Sequence, residues 1–138
     1  MLFRSEYAID AQEFIVLQPT SPLRTANDID GAIDLFRKKN ADSVISYTAE
    51  AHPVNWHKYI DENYQFVDIF EQKMANRQEF KTSYYPNGAI YVFRSKIILQ
   101  GKWYSDKSFA YLMPRLRSVD IDTIEDFMYV EYLLSVKP

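Results

Sequence analysis

A short apolar run that ends in a proline-bounded turn constrains the fold more than any other part of the sequence. The run covers residues 14–17 (FIVL), and the polar turn after it contains Pro19 and Pro22. Neither proline can donate a hydrogen bond to a neighbouring strand, so a strand over the run must end there. A continuous apolar run is typical of a strand buried on both faces of a parallel sheet. The pattern therefore predicts an α/β domain, in which ligands bind at the carboxyl ends of the strands.

A helix with clear signals follows this turn. Thr25 can cap it, and Asp28 stands three residues later in a variant of the capping box. Apolar residues repeat at helical spacing and mark its buried face: Ile29, Ala32, Ile33 and Phe36. Residues 41–47 then indicate another strand. Strand, helix and strand make a βαβ unit, whose crossover is right-handed and whose strands are parallel.

The segment over residues 50–81 differs from the rest in being polar and aromatic. Two stretches with apolar residues on alternating positions, 56–60 and 65–70, flank a short turn and predict a β-hairpin. The apolar residues on one face of this hairpin have to be buried against another surface. The hairpin serves either as a dimerisation arm or as a hairpin folded back on its own domain, and the sequence leaves both interpretations open.

Three more elements are predicted towards the C-terminus. Residues 88–94 and 109–113 indicate strands, and a helix begins at Asp122 or Thr123 and ends near Val136. The face of this last helix that we expect to be buried consists of Ile124, Phe127, Met128, Val130 and Leu134.

Composition bounds the class of protein. The 138 residues suit one domain, predicted over residues 1–138 with the arm at 50–81 inside it. The net charge of -3 argues against a nucleic-acid-binding module, which normally has a basic face. The absence of cysteine excludes disulfides and thiolate metal sites. The apolar runs are far shorter than the roughly 20 residues of a membrane span, so we expect a soluble, cytoplasmic protein without a membrane partner.

Asp120 and Asp122 form the sharpest candidate site in physical terms. In an extended segment, residues two apart point to the same face, so both carboxylates leave the sheet side by side. Two like charges so close are unfavourable unless a cation lies between them, and Mg²⁺ prefers such oxygen ligands. The alternative is that one aspartate caps the final helix and the other is solvated.

The polar turn supplies a second set of candidate residues. Gln18 offers both a donor and an acceptor for a sugar hydroxyl or a base edge. Arg24 can bind a carboxylate or a phosphate in bidentate fashion. Equally, Arg24 can be structural and tie the turn to a carbonyl group or to Asp28.

Three stretches carry a resemblance to a known family. LQPTSPLR at 17–24, PNGAIYV at 86–92 and SVDIDT at 118–123 occur in this order. Together they resemble the acylneuraminate cytidylyltransferases, or CMP-sialic acid synthetases, over most of the chain. The resemblance implies a mostly parallel, Rossmann-like sheet with helices on both faces and a hairpin dimerisation arm. It also implies a Mg²⁺-dependent homodimer that transfers CMP from CTP to a nonulosonic acid such as N-acetylneuraminate and releases pyrophosphate.

The resemblance also implies roles for individual residues. Asp120 and Asp122 would be the catalytic residues that hold the magnesium ion, and Arg77 would reach the sugar carboxylate across the dimer interface. Phe109 would stand near the N-acyl group of the sugar. The other implied substrate-binding residues are Gln18, Thr20, Ser21, Arg24, Gln78 and Tyr91.

Two departures from the family pattern limit what the resemblance implies. The family begins with a glycine-rich basic loop that holds the nucleotide, whereas the glycines here are Gly31, Gly88 and Gly101. We therefore expect the carboxyl-terminal part of such an enzyme, inactive by itself. The alternative is a non-catalytic remnant that only binds sugar or dimerises. The family also often has a lysine where this chain has Asn55, so the identity of the sugar stays open.

Overall fold

The computed structural model describes residues 11–70 and 80–136, and these fall into two compact units. The first consists of residues 11–48 and 86–136, and the second of residues 49–70 and 80–85. The second unit corresponds closely to the predicted arm. Within the described residues, no helix is long and apolar enough to cross a membrane.

The elements alternate between strands and helices, with a hairpin in the middle of the chain. The strands are β1 (Glu13–Val16), β2 (Ser43–Ala49), β3 (Lys58–Ile60), β4 (Phe66–Asp68), β5 (Tyr84–Arg94) and β6 (Ser108–Leu112). The α-helices are α1 (Ala26–Lys38), α2 (Ser95–Leu99) and α3 (Ile124–Ser135), and short 3-10 turns cover Val54–Trp56 and Arg115–Arg117.

A four-stranded sheet with the order β1-β5-β2-β6 forms the first unit's centre. β2 and β6 run parallel, with Val44 opposite Phe109, whereas β1 and β5 run antiparallel, with Phe14 opposite Phe93. The predicted α/β class is confirmed, but the sheet is mixed where a mostly parallel one was expected. An apolar run encodes burial and not strand direction, so the sequence pattern could not distinguish the two pairings.

The prediction that β1 is buried on both faces is wrong. β1 lies at one end of the described sheet, and Ile15, Val16 and Leu17 are each between 38% and 43% exposed. The apolar run did predict a strand correctly. What it could not predict is the strand's place in the sheet, because an edge strand and a central strand can share one apolar pattern.

Helix α1 covers one face of the sheet and forms the core with it. Its residues Ala32 and Phe36 are buried together with Val44, Ile90 and Met113. The predicted capping box is present, since Thr25 and Asp28 each accept from the other's backbone N–H. The helix packs so closely that a Cβ at Gly31 would lie 2.8 Å from the Tyr111 hydroxyl. Helical spacing therefore predicted this buried face correctly.

Helix α3 departs from its predicted packing. It begins with a second capping box, formed by Thr123 and Asp126. Of the apolar face predicted for it, only Val130 is buried, while Met128 is 63% exposed. Ile124, Phe127 and Leu134 are exposed as well. An apolar stripe indicates which side of a helix is suited to burial. It does not show whether another element packs on that side.

The second unit contains the predicted hairpin. β3 and β4 pair antiparallel, with Ile60 opposite Phe66, and an ion pair joins Lys58 to Asp68. The turn is held by the Asp61 carboxylate, which accepts from the backbone N–H groups of Asn63 (2.8 Å) and Gln65 (2.9 Å). Apolar side chains on both strands are exposed: Tyr59, Ile60, Phe66 and Val67.

Replacement of phenylalanine by alanine should cost much stability in the core and little on the exposed face of α3. Phe36→Ala empties a site that is 2% exposed, so we expect the free energy of unfolding to fall by about 3–5 kcal/mol. Phe127→Ala, on the exposed face of α3, should change it by no more than about 0.5 kcal/mol. Urea titrations followed by circular dichroism measure both, and equal losses would contradict this description of the core.

Candidate functional site

The polar turn after β1 docks on the segment that leads into α3. The Ile121 N–H donates to the Thr20 carbonyl at 2.8 Å, and the Ser21 hydroxyl donates to Asp120 Oδ1 at 3.3 Å. The turn closes on itself through a hydrogen bond from the Ser21 N–H to the Gln18 carbonyl. These contacts bring together two sequence motifs that are about a hundred residues apart.

Arg24 has a structural contact in this turn. Its Nη1 donates to the carbonyl oxygens of Gln18 at 2.6 Å and Ser21 at 2.7 Å. Charge-assisted bonds of this length are strong, so they fix the turn in one conformation. The structure thus favours the alternative in which Arg24 ties the turn to carbonyl groups.

All three motifs meet at Gly88. Its φ of +76° is one that favours glycine, and the space where a Cβ would stand is occupied. A Cβ there would lie 2.4 Å from Gln18 Oε1 and 3.3 Å from both Asp120 Oδ2 and Ser21 Oγ. The absence of a side chain at residue 88 therefore lets an amide, a hydroxyl and a carboxylate converge on one point.

A buried hydrogen-bond network around Asn87 fixes the backbone next to Gly88. The Asn87 side-chain oxygen accepts from the Ser46 hydroxyl and from the Ala89 N–H. The Asn87 amide nitrogen donates to Ser118 Oγ at 2.8 Å, and Ser118 in turn donates to the Pro114 carbonyl at 2.9 Å. Asn87 thereby links β2, β5 and the segment before Asp120.

The two candidate metal ligands differ in their surroundings. Asp120 is half-buried and Asp122 is exposed. Thr123 caps α3 with Asp126 as its partner, so the interpretation in which Asp120 or Asp122 provides the cap is wrong. Among the described residues, no group of three or more His, Asp or Glu side chains could hold a metal ion. Two carboxylates fit Mg²⁺, because this ion is usually bound by one or two carboxylates and takes its remaining oxygens from water or from substrate phosphates.

Tyr91 lies in an aromatic cluster beside Asp120. Its ring meets the ring of Trp103 edge-on at 6.2 Å and stacks on Phe93 at 6.2 Å. Burial raises the pKa of the Tyr91 hydroxyl, and Tyr104 and Asp120 raise it further. The hydroxyl therefore stays protonated at neutral pH and can donate a hydrogen bond.

Three aromatic residues of this cluster were not predicted from the sequence: Tyr47, Trp103 and Tyr104. The pKa of Tyr47 is raised by burial and by a hydrogen bond with Tyr104. The sequence did contain one signal, the adjacent Trp103 and Tyr104 in the short polar segment between α2 and β6. Both rings are exposed, so packing in the core does not explain why two aromatic residues stand there.

The remaining predicted residues lie elsewhere. Phe109 packs against the core beneath α1, with the Lys39 ammonium 5.6 Å from the centre of its ring. The role predicted for Phe109, beside the N-acyl group of the sugar, stays a prediction. Phe109 stands at the start of β6, whereas the other candidate residues lie at the carboxyl ends of the parallel strands. The Thr20 side chain is exposed, and its carbonyl makes the contact described above. Arg77 and Gln78 lie outside the described residues, so their roles stay predictions.

The fold matches that of a solved structure. The chain superimposes with a TM-score of 0.60 on the 4-diphosphocytidyl-2C-methyl-D-erythritol synthase of Anaerococcus prevotii, covering 97% of this chain and 64% of that one. The two sequences are 17% identical, so this likeness defines the fold alone. The predicted α/β fold is thereby confirmed.

Sequence comparison defines the relationship more closely. Over 130 residues, the chain is 36% identical to an N-acylneuraminate cytidylyltransferase of Streptococcus agalactiae serotype V, covering 93% of this chain and 31% of that protein. It is 30% identical over 126 residues to the CMP-N,N'-diacetyllegionaminic acid synthase of Legionella pneumophila, covering 88% of the chain and 53% of the relative. A pseudaminic acid cytidylyltransferase of Campylobacter jejuni is 28% identical over 123 residues.

The predicted resemblance to acylneuraminate cytidylyltransferases is thereby confirmed along nearly the whole chain. The chain spans about a third to a half of the length of these relatives. No family model matches it.

The role of Gly88 can be tested against a second glycine in the same conformation. Gly101 has a φ of +71°, but nothing lies within 4 Å of where its Cβ would be. We expect Gly88→Ala and Gly101→Ala each to cost about 1–2 kcal/mol of unfolding free energy, because both force alanine into the left-handed region. Only Gly88→Ala should also displace the flexible Gln18 side chain.

The measurement is the amide spectrum of ¹⁵N-labelled protein, in which the Gln18 side-chain NH₂ gives its own pair of signals. Those signals should shift in Gly88→Ala and keep their positions in Gly101→Ala. Unchanged Gln18 signals in Gly88→Ala would show that Gly88 and Gln18 are not in contact in solution.

Proposed function

We propose that this chain carries the sugar-binding and metal-binding side of a cytidylyltransferase that transfers CMP from CTP to a nonulosonic acid. The observation that carries the proposal is the convergence of Gln18, Ser21 and Asp120 at Gly88. The named activities of the relatives support it, since all three attach CMP to, or are cytidylyltransferases for, acids of this class. Because those relatives are longer, the activity and both substrates are part of the proposal.

The reaction requires a hydroxyl group and a phosphate group to meet in line. The anomeric hydroxyl of the sugar attacks the α-phosphorus, a new P–O bond forms, and the bond to pyrophosphate breaks while the hydroxyl proton leaves to solvent. Asp120 and Asp122 would hold Mg²⁺, which would neutralise the phosphate charge when bound. Gln18 can bind a sugar hydroxyl through its amide, and the protonated Tyr91 can donate to a sugar oxygen. Arg77 remains the predicted partner of the sugar carboxylate.

A non-catalytic module that only binds sugar or dimerises is the alternative. The feature that favours it is the lack of a glycine-rich basic loop anywhere in the 138 residues, which contain three glycines. Such a loop binds triphosphate through backbone N–H groups and cations. We therefore expect this chain by itself to release no pyrophosphate from CTP.

The proposal can be tested in two steps with one set of variants. Saturation-transfer NMR should detect N-acetylneuraminate on the wild-type chain, and Gln18→Ala should abolish the signal. Pyrophosphate release from CTP, Mg²⁺ and N-acetylneuraminate should then begin when a fragment bearing a relative's glycine-rich loop is added. In that mixture Asp120→Asn should lower the rate at least about a hundredfold, since it removes a direct metal ligand.

Asp34→Asn is the matched control, because Asp34 is an exposed aspartate on α1 away from the site. It should retain wild-type activity. Sugar binding without pyrophosphate release in the mixture would favour the non-catalytic module. The absence of sugar binding, or an Asp120→Asn variant as active as wild type, would exclude the proposed site.

We also propose that the protein forms a homodimer through its hairpin. Tyr59, Ile60, Phe66 and Val67 expose apolar surface on both strands, with Phe66 79% exposed. A two-stranded hairpin has little stability in water without such cover. A second copy of the arm would present the same apolar residues and could bury them in a two-fold interface.

Sedimentation velocity tests this arrangement. The wild-type chain should sediment as a dimer, and Phe66→Glu should sediment as a monomer because a buried charge would be unpaired at the interface. Tyr132→Glu, at an exposed position on α3, is the control and should remain dimeric. A dimer that persists in Phe66→Glu would exclude the hairpin as the interface.

A further inference from the structure

An ion pair between a buried aspartate, Asp28, and a partly exposed arginine, Arg117, joins two segments that flank the candidate site. Arg117 donates to both oxygens of Asp28, from Nε to Oδ2 at 3.0 Å and from Nη2 to Oδ1 at 2.8 Å. The Asp28 side chain is 2% exposed. The same carboxylate also accepts from the N–H and the hydroxyl of Thr25, at 2.9 Å and 2.8 Å.

Each partner is adjacent in sequence to one wall of the site. Asp28 stands in the first turn of α1, directly after the turn that carries Gln18 and Ser21. Arg117 ends the 3-10 turn that leads to Asp120, three residues before it. The ion pair is therefore a second link between the same two segments that meet at Ser21 and Asp120.

Three contacts restrict the position of residues 117–121. Ser118, next to Arg117, is fixed by Asn87, and Ile121, next to Asp120, is fixed by the Thr20 carbonyl. With the bidentate bond at Arg117, three successive anchors define the path of residues 117–121. A planar guanidinium that binds two carboxylate oxygens sets orientation as well as distance, which a lysine ammonium does not.

Stability alone is a weak reason for such a pair. Moving the Asp28 carboxylate out of water costs free energy, and the attraction to Arg117, whose side chain is 38% exposed, returns only part of it. The capping bonds from Thr25 could be made by an aspartate without an arginine partner, as at Asp126 in α3. The arginine therefore adds orientation to a carboxylate that already had a structural role.

We propose that Asp28 and Arg117 are positioning residues that set the orientation of the Asp120 carboxylate for metal binding. This inference rests on the proposed function, because it assumes that Asp120 is a metal ligand. Asp28 is ionised at neutral pH: burial raises its pKa, but the bonds from Arg117 and Thr25 outweigh that effect and hold the pKa below its usual value.

The test measures metal affinity separately from stability, with Mn²⁺ alone as the probe. Electron paramagnetic resonance gives the free Mn²⁺ concentration, and circular dichroism defines a temperature at which each variant is folded. We expect Arg117→Lys and Asp28→Asn each to weaken Mn²⁺ binding about tenfold, the lower end of the usual cost of losing a partner that orients a metal ligand. The Arg117→Lys variant keeps the charge and loses the bidentate geometry, so it remains informative if Asp28→Asn does not fold.

Asp42→Asn is the matched control. Asp42 also forms an ion pair, with Lys96 at 2.9 Å, and also accepts from a serine hydroxyl, but it precedes β2, at the opposite end of that strand from the site. It should lose thermal stability and retain wild-type Mn²⁺ affinity. If Arg117→Lys and Asp28→Asn also retain wild-type affinity, the ion pair is purely structural and the inference is wrong.

Asp120→Asn separates this failure from a failure of the proposed function. It should abolish Mn²⁺ binding in the wild-type background. If the wild-type chain binds no Mn²⁺, or Asp120→Asn binds it as well as wild type, the proposed metal site fails and the inference falls with it. A double variant, Asp28→Asn with Arg117→Lys, completes the cycle: its loss should equal that of one single variant, whereas additive losses would show that the two residues act independently.

Discussion

The rest of the site depends on the hydrogen bonds that the buried side-chain amide of Asn87 makes. This amide accepts from Ser46 in β2 and donates to Ser118 in the segment before Asp120, so it joins the centre of the sheet to that segment. A buried polar group that loses its partner costs about 1–3 kcal/mol, so the three segments are coupled strongly. Gly88 follows Asn87 directly, so this network fixes the backbone next to the point where Gln18, Ser21 and Asp120 converge.

Local signals in the sequence predicted the helices and the hairpin well. Thr25 and Asp28 specify their capping box through bonds within four residues, and α1 buries the stripe that its spacing indicates. Burial was harder to predict, as β1 and the exposed face of α3 show. Apolar residues in a sequence indicate that a surface is more stable when it is buried. Which element buries that surface depends on the assembled structure.

The candidate site was predicted in part because its polar residues come as contiguous motifs. Gln18, Ser21 and Asp120, which were candidates from two separate motifs, meet at a glycine that the third motif supplies. The aromatic cluster was missed because Tyr47, Trp103 and Tyr104 come from separate segments with no shared spacing, and Phe109 was chosen in their place. The Asp28–Arg117 pair was missed for a similar reason, since a helix cap accounts for Asp28 without any distant partner.

The edge-on contact between Trp103 and Tyr91 places a fluorescent indole at the candidate site. The chain has two tryptophans, and the other, Trp56, lies in the second unit beside His52. With Trp56 replaced by phenylalanine, the emission of the protein would come from the indole that contacts Tyr91. Any molecule that displaces water from this ring would change the polarity around a single fluorophore, so the arrival of a ligand could be followed in real time without labelling either partner.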